Sequence, residues 1–233
     1  MSHSPAFCFP LFGGVSSKYS TSETRLCWQF LYVMYLAQVA LACCTDASIL
    51  PSLCVWVSPL FAYYGHNIKM SCRFKDVRRN LQKDIDELKS YGIQDVFVLC
   101  TKGELLKYRV PNLIDAYQEC GICVHHYPIP DGDAPDITTC CTILEELRSC
   151  LESNRKTIIH CYGGLGRSCL IAACLLLQLS DVVTPQQAID SLRDLRGSRA
   201  IQTIKQYNFI HDFRENVAAH LATQDTVQRS VSR

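Results

Sequence analysis

A cysteine and an arginine stand six positions apart in His160-Cys161-Tyr162-Gly163-Gly164-Leu165-Gly166-Arg167-Ser168, with three glycines among the five residues between them. Ahead of them Thr157-Ile158-Ile159 reads as a buried β-branched strand, and the apolar run 169–179 behind them reads as a buried helix. Cys161 therefore falls at a strand-to-helix turn. A helix N-terminus presents unpaired backbone N–H groups and a partial positive charge, so an anion belongs in front of this one. Gly163, Gly164 and Gly166 can adopt positive φ at little cost, which lets the amides from Tyr162 through Leu165 to Gly166 turn inward around a phosphoryl group. Arg167 can close that ring with a planar fork that holds two oxygens at once.

The same field acts on the nucleophile. A free thiol, with a pKa of about 8.5, is mostly protonated at neutral pH, and a helix N-terminus beside an arginine is expected to hold Cys161 as the thiolate. Ser168 places a hydroxyl next to the sulfur, suited to stabilise it as it leaves a phosphocysteine. His160 is expected to orient the loop through hydrogen bonds without serving as general base. Transfer of a phosphoryl group to sulfur also leaves an alkoxide or phenoxide that needs a proton. The turn-rich stretch Pro130-Asp131-Gly132-Asp133-Ala134-Pro135-Asp136 offers three carboxyl groups for that task, any of which could instead cap a turn.

The surrounding elements alternate. A helix from Leu81 through Ile85 and Leu88 stops at Gly92, a strand follows at 95–100, Pro111 opens a helix that ends at Gly121, and a second strand runs over 122–129. Ile137, Cys141, Leu144, Leu147 and Leu151 recur at helical spacing, which makes Cys140, Cys141 and Cys150 packing residues. Thr184-Pro185-Gln186-Gln187 starts another helix with a cap and a first-turn proline. The spacing predicts a last helix over 203–221 and a disordered polar tail over 222–233. This alternation predicts an α/β fold, a parallel-type central sheet flanked by helices, with the site at the carboxyl ends of the strands.

The Cys-x5-Arg loop is the signature of the cysteine-dependent protein phosphatases. Phe74-Lys75-Asp76-Val77-Arg78-Arg79-Asn80, Lys107-Tyr108-Arg109-Val110-Pro111-Asn112-Leu113 and Ile189-Asp190-Ser191-Leu192-Arg193-Asp194-Leu195-Arg196-Gly197-Ser198 resemble the kinase-associated phosphatases of its dual-specificity branch, over about residues 72–233. The resemblance implies the cysteine-phosphatase fold and makes Asp131 the general acid, with Asp133 and Asp136 as substitutes. It implies a two-step protein phosphatase without metal or other cofactor. It further implies a cyclin-dependent kinase as partner, with the activating phosphothreonine of that kinase as target. A phosphoinositide phosphatase is the enzymatic alternative, although the loop lacks the extra lysines expected for a highly anionic head group. A non-catalytic kinase-binding module is the other.

Residues 1–71 differ from the rest. They carry Lys18, Arg25 and Lys69 against Glu23 and Asp46, while 72–233 hold the remaining 20 basic and 20 acidic residues. That balance gives no field for nucleic acid, and the cluster Arg73, Lys75, Arg78, Arg79 reads as a solvated face. The uncharged run 26–44 is long enough for a membrane span, and a second apolar run at 49–64 is broken by Pro51 and Pro59. The first reading is an atypical, poorly packed extension and the second is membrane association through 26–64. In the resemblance the first core strand falls at Phe61-Ala62-Tyr63-Tyr64-Gly65-His66-Asn67, which puts the completeness of the sheet in question.

Fifteen cysteines, an odd number in a chain of this length, do not read as a disulfide scaffold. Cys120-Gly121-Ile122-Cys123 lacks a second pair at finger spacing, and His125 and His126 point to opposite faces of a strand, so no metal is expected from either motif. A thiolate nucleophile needs a reducing compartment, so the cytoplasm, extending to perinuclear and nuclear space, is the expected location. Cys100 ends its strand as Cys161 ends its own. If those strands are parallel neighbours, the pair comes within a disulfide's Cα reach of about 4.4–6.8 Å, making Cys100 a redox partner rather than only a small core residue.

Overall fold

Among the described residues four strands run parallel: β1 (Val55–Ser58), β2 (Asp95–Val98), β3 (Cys123–His126) and β4 (Thr157–His160), in the order β1-β4-β2-β3. The structure is a computed structural model that describes residues 55–58 and 80–231, with side chains described from 80 to 224. The runs 26–44 and 61–67 and the cluster Arg73, Lys75, Arg78, Arg79 lie outside the described residues. The sheet has a strand on the far side of β4 all the same. Val55-Trp56-Val57, earlier in the chain than the resemblance places a first strand, pairs with Thr157-Ile158-Ile159. β-branched and aromatic residues suit that pleated edge.

Register aligns the strand ends. Val98 is level with His160 on one side and His126 on the other, and Ser58 is also level with His160. The residues just beyond that line, Leu99, Tyr127 and Cys161, therefore emerge together at the carboxyl edge. Alternation along β2 feeds two cores. Val96, Val98 and Cys100 join Ile158 in packing against α1 (Leu81–Ser90), α2 (Lys102–Lys107) and α3 (Leu113–Glu119). Phe97 and Leu99 join Ile159 against α4 (Ile137–Glu152), α5 (Arg167–Leu179), α6 (Pro185–Arg196) and α7 (Ile204–Val231). Both faces of the central strands are covered, as a parallel sheet requires.

Several boundaries differ from the sequence reading. The helix after Pro111 begins at Leu113, because Pro111 and Asn112 form the turn ahead of it. The strand read over 122–129 is regular only from Cys123 to His126, although the Tyr127 and Ile129 amides still donate to the Val98 and Leu99 carbonyls before the chain turns off at Pro130. Helix α5 begins at Arg167, two residues early, so the arginine and Ser168 belong to its first turn. Helix α7 continues to Val231 through the segment read as a disordered tail; that segment has no glycine or proline to stop it. Among the described residues, no helix is long and apolar enough to cross a membrane.

Helix α5 lies in the middle of the second core, with Cys169 through Leu175 all buried. Its C-terminal end is tied to α7 by Arg214, whose Nη2 donates to the carbonyls of Leu177 at 3.1 Å, Ser180 at 2.8 Å and Val183 at 2.9 Å. A guanidinium satisfies carbonyls that a helix end leaves unpaired. Arg214→Met is expected to lower unfolding stability in urea by about 1.5–3 kcal/mol, the range for hydrogen bonds to a charged group.

Candidate active site

The loop between β4 and α5 turns where the sequence places its glycines, but they do different jobs. Of the three, only Gly164 lies in the left-handed region, at φ 63°. Gly166, at φ −94°, is needed for space: a Cβ there would stand 2.8 Å from Gln202 Oε1 and 3.0 Å from Gln206 Nε2. Cys161 is buried at the first position past β4. Cys169 fixes the loop from beneath, its Sγ 3.4 Å from the Gly164 carbonyl. Ser168 is fully buried and its Oγ has no hydrogen-bond partner among the described residues, so the hydroxyl is uncommitted.

Arg167 is 1% exposed and almost fully engaged. Nη1 donates to Glu104 Oε2 at 2.8 Å, to the Ile129 carbonyl at 2.8 Å and to the Leu99 carbonyl at 3.3 Å. Nη2 donates to Glu104 Oε1 at 2.7 Å and to Asp131 Oδ1 at 3.0 Å. Burial disfavours the charge, yet the Glu104 hydrogen bond and the nearby thiols and carboxylate raise the Arg167 pKa above its ordinary value. What remains for a substrate oxyanion is the Nε–H and the outer hydrogen of Nη2, the one now on Asp131. That edge is a two-point clamp.

Glu104 was not singled out from the sequence, though a signal was there. Thr101-Lys102-Gly103-Glu104 is a capping box: Thr101 Oγ1 accepts from the Glu104 amide at 3.2 Å, and Glu104 Oε2 accepts from the Thr101 amide at 2.8 Å. Burial would raise the Glu104 pKa, but the hydrogen bonds from Arg167 and Thr101 outweigh it and hold the carboxylate below its usual range. The box thus fixes the rotamer of the one side chain that grips Arg167 with both oxygens.

The acidic turn lies beside this pair. Asp131 is the carboxylate that reaches Arg167, with its side chain 63% exposed. Asp133 is held by the Ala134 amide and by Lys205, and both lower its pKa. Asp136 caps α4, accepting from Thr139 Oγ1 at 2.6 Å and from the Thr139 amide at 2.9 Å, which lowers its pKa as well. Both substitutes are thereby committed to partners outside the loop, Asp133 to Lys205 and Asp136 to Thr139. The start of α7 fastens the turn to the loop: Thr203 Oγ1 donates to the Gly132 carbonyl, Gln206 Nε2 to the Asp133 carbonyl, and the Ile201 amide to the Leu165 carbonyl at 2.8 Å. Sequence reasoning missed Gln202 and Gln206, although Thr203-x-x-Gln206 is itself a cap pattern.

His160 is fully buried, with its ring edge-on to Tyr117 at 5.9 Å. Burial pushes its pKa down to about 3, against a hydrogen bond with the Cys161 backbone, so the ring is neutral at working pH. Tyr162 stacks on Tyr108 at 4.2 Å and forms an aromatic wall beside the loop. His126 turns to the Cys100 carbonyl and His125 to Asp95 and Glu146, on opposite faces as expected. Cys100 lies two residues past the end of β2, so the strand read over 95–100 stops at Val98; it is a free, fully buried thiol that packs with Val96 and Val98, whereas Cys161 packs in the other core. Burial raises its pKa, with Arg167 opposing.

A parallel sheet whose strand end feeds a Cys-x5-Arg loop into a buried helix is the frame of the cysteine-dependent phosphatases, and this chain has that fold. A family profile described as Cyclin-dependent kinase inhibitor 3 (CDKN3) matches residues 47–189, reaching β1 and so beginning earlier than the resemblance read from about residue 72. Cyclin-dependent kinase inhibitor 3 of Sus scrofa is 73% identical over 162 residues, covering 70% of this chain and 76% of that protein. The Homo sapiens protein of the same name is 71% identical over 162 residues with the same coverage. A crystal structure of kinase associated phosphatase with its catalytic-site cysteine replaced by serine aligns with a TM-score of 0.61 at 72% identity, covering 64% of this chain and 84% of that one. The chain belongs to the cyclin-dependent kinase inhibitor 3 family.

Two outcomes test this geometry. Glu104→Gln keeps a capping side chain but cannot offer two anionic acceptors, so urea unfolding should show a loss of about 3 kcal/mol and kcat/KM should fall about 10²-fold through misplacement of Arg167. For His160, the unfolded ring titrates near 6.5 and the folded ring near 3. The unfolded chain therefore binds the extra proton between those values, and stability present above pH 6.5 is lost as pH falls toward 3. His160→Asn should flatten that limb in urea titrations and lower the rate, without moving either limb of the kcat/KM profile between about pH 5 and 8.

Proposed function

We propose that this chain is a protein phosphatase that hydrolyses phosphothreonine, phosphoserine and phosphotyrosine through a phosphocysteine intermediate. Its proposed substrate and partner is a cyclin-dependent kinase carrying its activating phosphothreonine, and its proposed place is the cytoplasm, extending to perinuclear and nuclear space. The observation that carries the reading is the single guanidinium of Arg167, fixed by Glu104 and touched by Asp131, in the turn that follows Cys161. The kinase partner is supported by the names of its relatives, cyclin-dependent kinase inhibitor 3 and kinase associated phosphatase.

In the first step the Cys161 sulfur attacks phosphorus, the loop amides and the Nε/Nη2 edge of Arg167 take the equatorial oxygens, and Asp131 gives its proton to the departing alkoxide. In the second, water attacks phosphocysteine, Asp131 takes a proton from it, and the thiolate leaves toward the Ser168 hydroxyl. His160 stays neutral and holds the loop. Cys100 joins the proposal as a resolving thiol. Peroxide converts the Cys161 thiolate to sulfenic acid, and attack by Cys100 sulfur then expels water and leaves a disulfide.

Cys161→Ser should abolish turnover and keep phosphoprotein binding, because the hydroxyl fits the loop but is not ionised; residual turnover near the parent rate sinks the assignment. Asp131→Asn should slow hydrolysis of a phosphothreonine kinase far more than of an aryl phosphate whose leaving group needs no proton, read as the ratio of the two kcat/KM values. Asp133→Asn and Asp136→Asn should leave that ratio unchanged. A phosphoinositide assayed in parallel distinguishes the lipid alternative. After peroxide, Cys100→Ser should recover less activity with reductant than the parent chain, and peptide mapping should find the Cys100–Cys161 bond only in the parent.

A further inference from the structure

At the amino end of the sheet, away from the phosphate loop, register assembles a second cluster. Asp95, the first residue of β2, is level with Cys123, the first of β3, and His125 lies two residues along β3 from Cys123. Period two on a strand and direct pairing across the ladder put all three side chains on one face. His125 Nε2 is 3.0 Å from Asp95 Oδ1 and 3.7 Å from Cys123 Sγ. The three donor atoms lie within 4.8 Å of one another. The other ring nitrogen, Nδ1, is 2.7 Å from Glu146 Oε2 on α4, and the ring stacks on Phe97 at 4.2 Å. Asp95 is fully buried while Cys123 is exposed, so the cluster opens outward.

We propose that Asp95, Cys123 and His125 bind a zinc ion, with the fourth position open to solvent. Nitrogen, sulfur and carboxylate oxygen are the donors zinc takes, and bonds of about 2.0–2.1 Å to nitrogen and 2.3 Å to sulfur at a tetrahedral angle separate N from S by about 3.6 Å. The observed 3.7 Å already matches that edge. Glu146 supplies the carboxylate that ligating histidines characteristically engage with their second nitrogen, and it leaves Nε2 free to turn from Asp95 to the ion. A neutral ring can donate to only one of its two carboxylate neighbours, and an ion at Nε2 resolves that conflict.

Charge closes around the same arrangement. Arg155 Nε sits 2.7 Å from Asp95 Oδ2, and its side chain hydrogen-bonds Cys123. Arg155 offsets Glu146, and the two charges of zinc are matched by Asp95 and by Cys123 once its thiol proton passes to solvent. The Cys120 and Cys123 pair is not the site: Cys120 faces Gln82 on α1 at 3.6 Å. The ion would clip β2 to β3 and, through His125 and Glu146, to α4, far along the strands from Cys161.

Cobalt(II) is the probe, added to the full chain carrying Cys161→Ser so that the catalytic thiol does not compete. One equivalent should bind with a thiolate-to-cobalt charge-transfer band, and zinc should displace it. Cys123→Ser should lose the band, and Glu146→Gln should weaken binding roughly 10–100-fold. Cys123 is exposed and the Glu146 side chain is 40% exposed, so neither change empties the core, and circular dichroism without metal should match the parent. Zinc should raise the Tm of the parent and not that of Cys123→Ser. A band of unchanged intensity in Cys123→Ser, an unchanged affinity in Glu146→Gln, or absence of cobalt binding by the parent overturns the proposal.

Discussion

The two oxygens of Glu104 on the two terminal nitrogens of Arg167 are the contact around which this catalytic end is arranged. A guanidinium that is 1% exposed has lost its water, and a buried charge is tolerated only when its hydrogen bonds are replaced with good geometry. Here they are replaced from three directions: α2 through Glu104, the end of β2 through the Leu99 carbonyl, and the chain beyond β3 through the Ile129 carbonyl. Because Arg167 is also the first residue of α5, fixing its side chain fixes the helix N-terminus that the phosphate loop wraps around. The sheet sets where the strand ends lie, and this ion pair converts that alignment into the position of one functional group.

A second set of bonds makes two loops behave as one. The segment leading into α7 touches the phosphate loop at Leu165 and Gly166 and the acidic turn at Gly132 and Asp133. Ile201 adopts φ 61° there, a left-handed conformation that a β-branched residue avoids, at a cost of about 1–3 kcal/mol. Its buried side chain and its bond to Leu165 hold it in place. Gln206 is fully buried for the same reason, since its amide group has the Asp133 carbonyl and the Gln202 amide as partners. The acidic turn and the 161–166 loop are thus referenced to one helix start.

What could be read from the sequence follows the range of each interaction. Local signals were legible: the β-branched strand before Cys161, the capping box at Thr184, and the cysteines of α4 at helical spacing, with Cys140 and Cys150 buried. The loop was legible because its chemistry is nearly contiguous. Glu104, Gln202 and Gln206 were not, since they lie 63, 35 and 39 positions from Arg167 or have their role set by α2 and α7 folding back. Their cap patterns were visible, but a cap pattern reports a helix start and says nothing of a second use for its side chain. Strand order belongs with these. That β2 and β4 are neighbours, which sets the ends of the Cys100 and Cys161 segments side by side, depends on where the crossovers land. The cluster of Asp95 with Cys123 and His125 has the same origin, since it exists only in the β2–β3 register.

Arg167 carries two carboxylates that differ in how firmly they are held. Glu104 is 13% exposed, grips with both oxygens and is locked by Thr101, so its departure would strand a buried cation, at about 3–5 kcal/mol. Asp131 is 63% exposed and touches with one oxygen, so water can take its place on its own side while Glu104 still holds the cation. A phosphoryl dianion arriving over the loop competes for the Nη2 hydrogen that Asp131 occupies, and it displaces Asp131 and leaves Glu104 in place. In the proposed reaction that exchange has a direct use. The substrate seats itself on the clamp by releasing Asp131 from Arg167, and the freed, exposed side chain can then turn to the leaving oxygen that needs a proton.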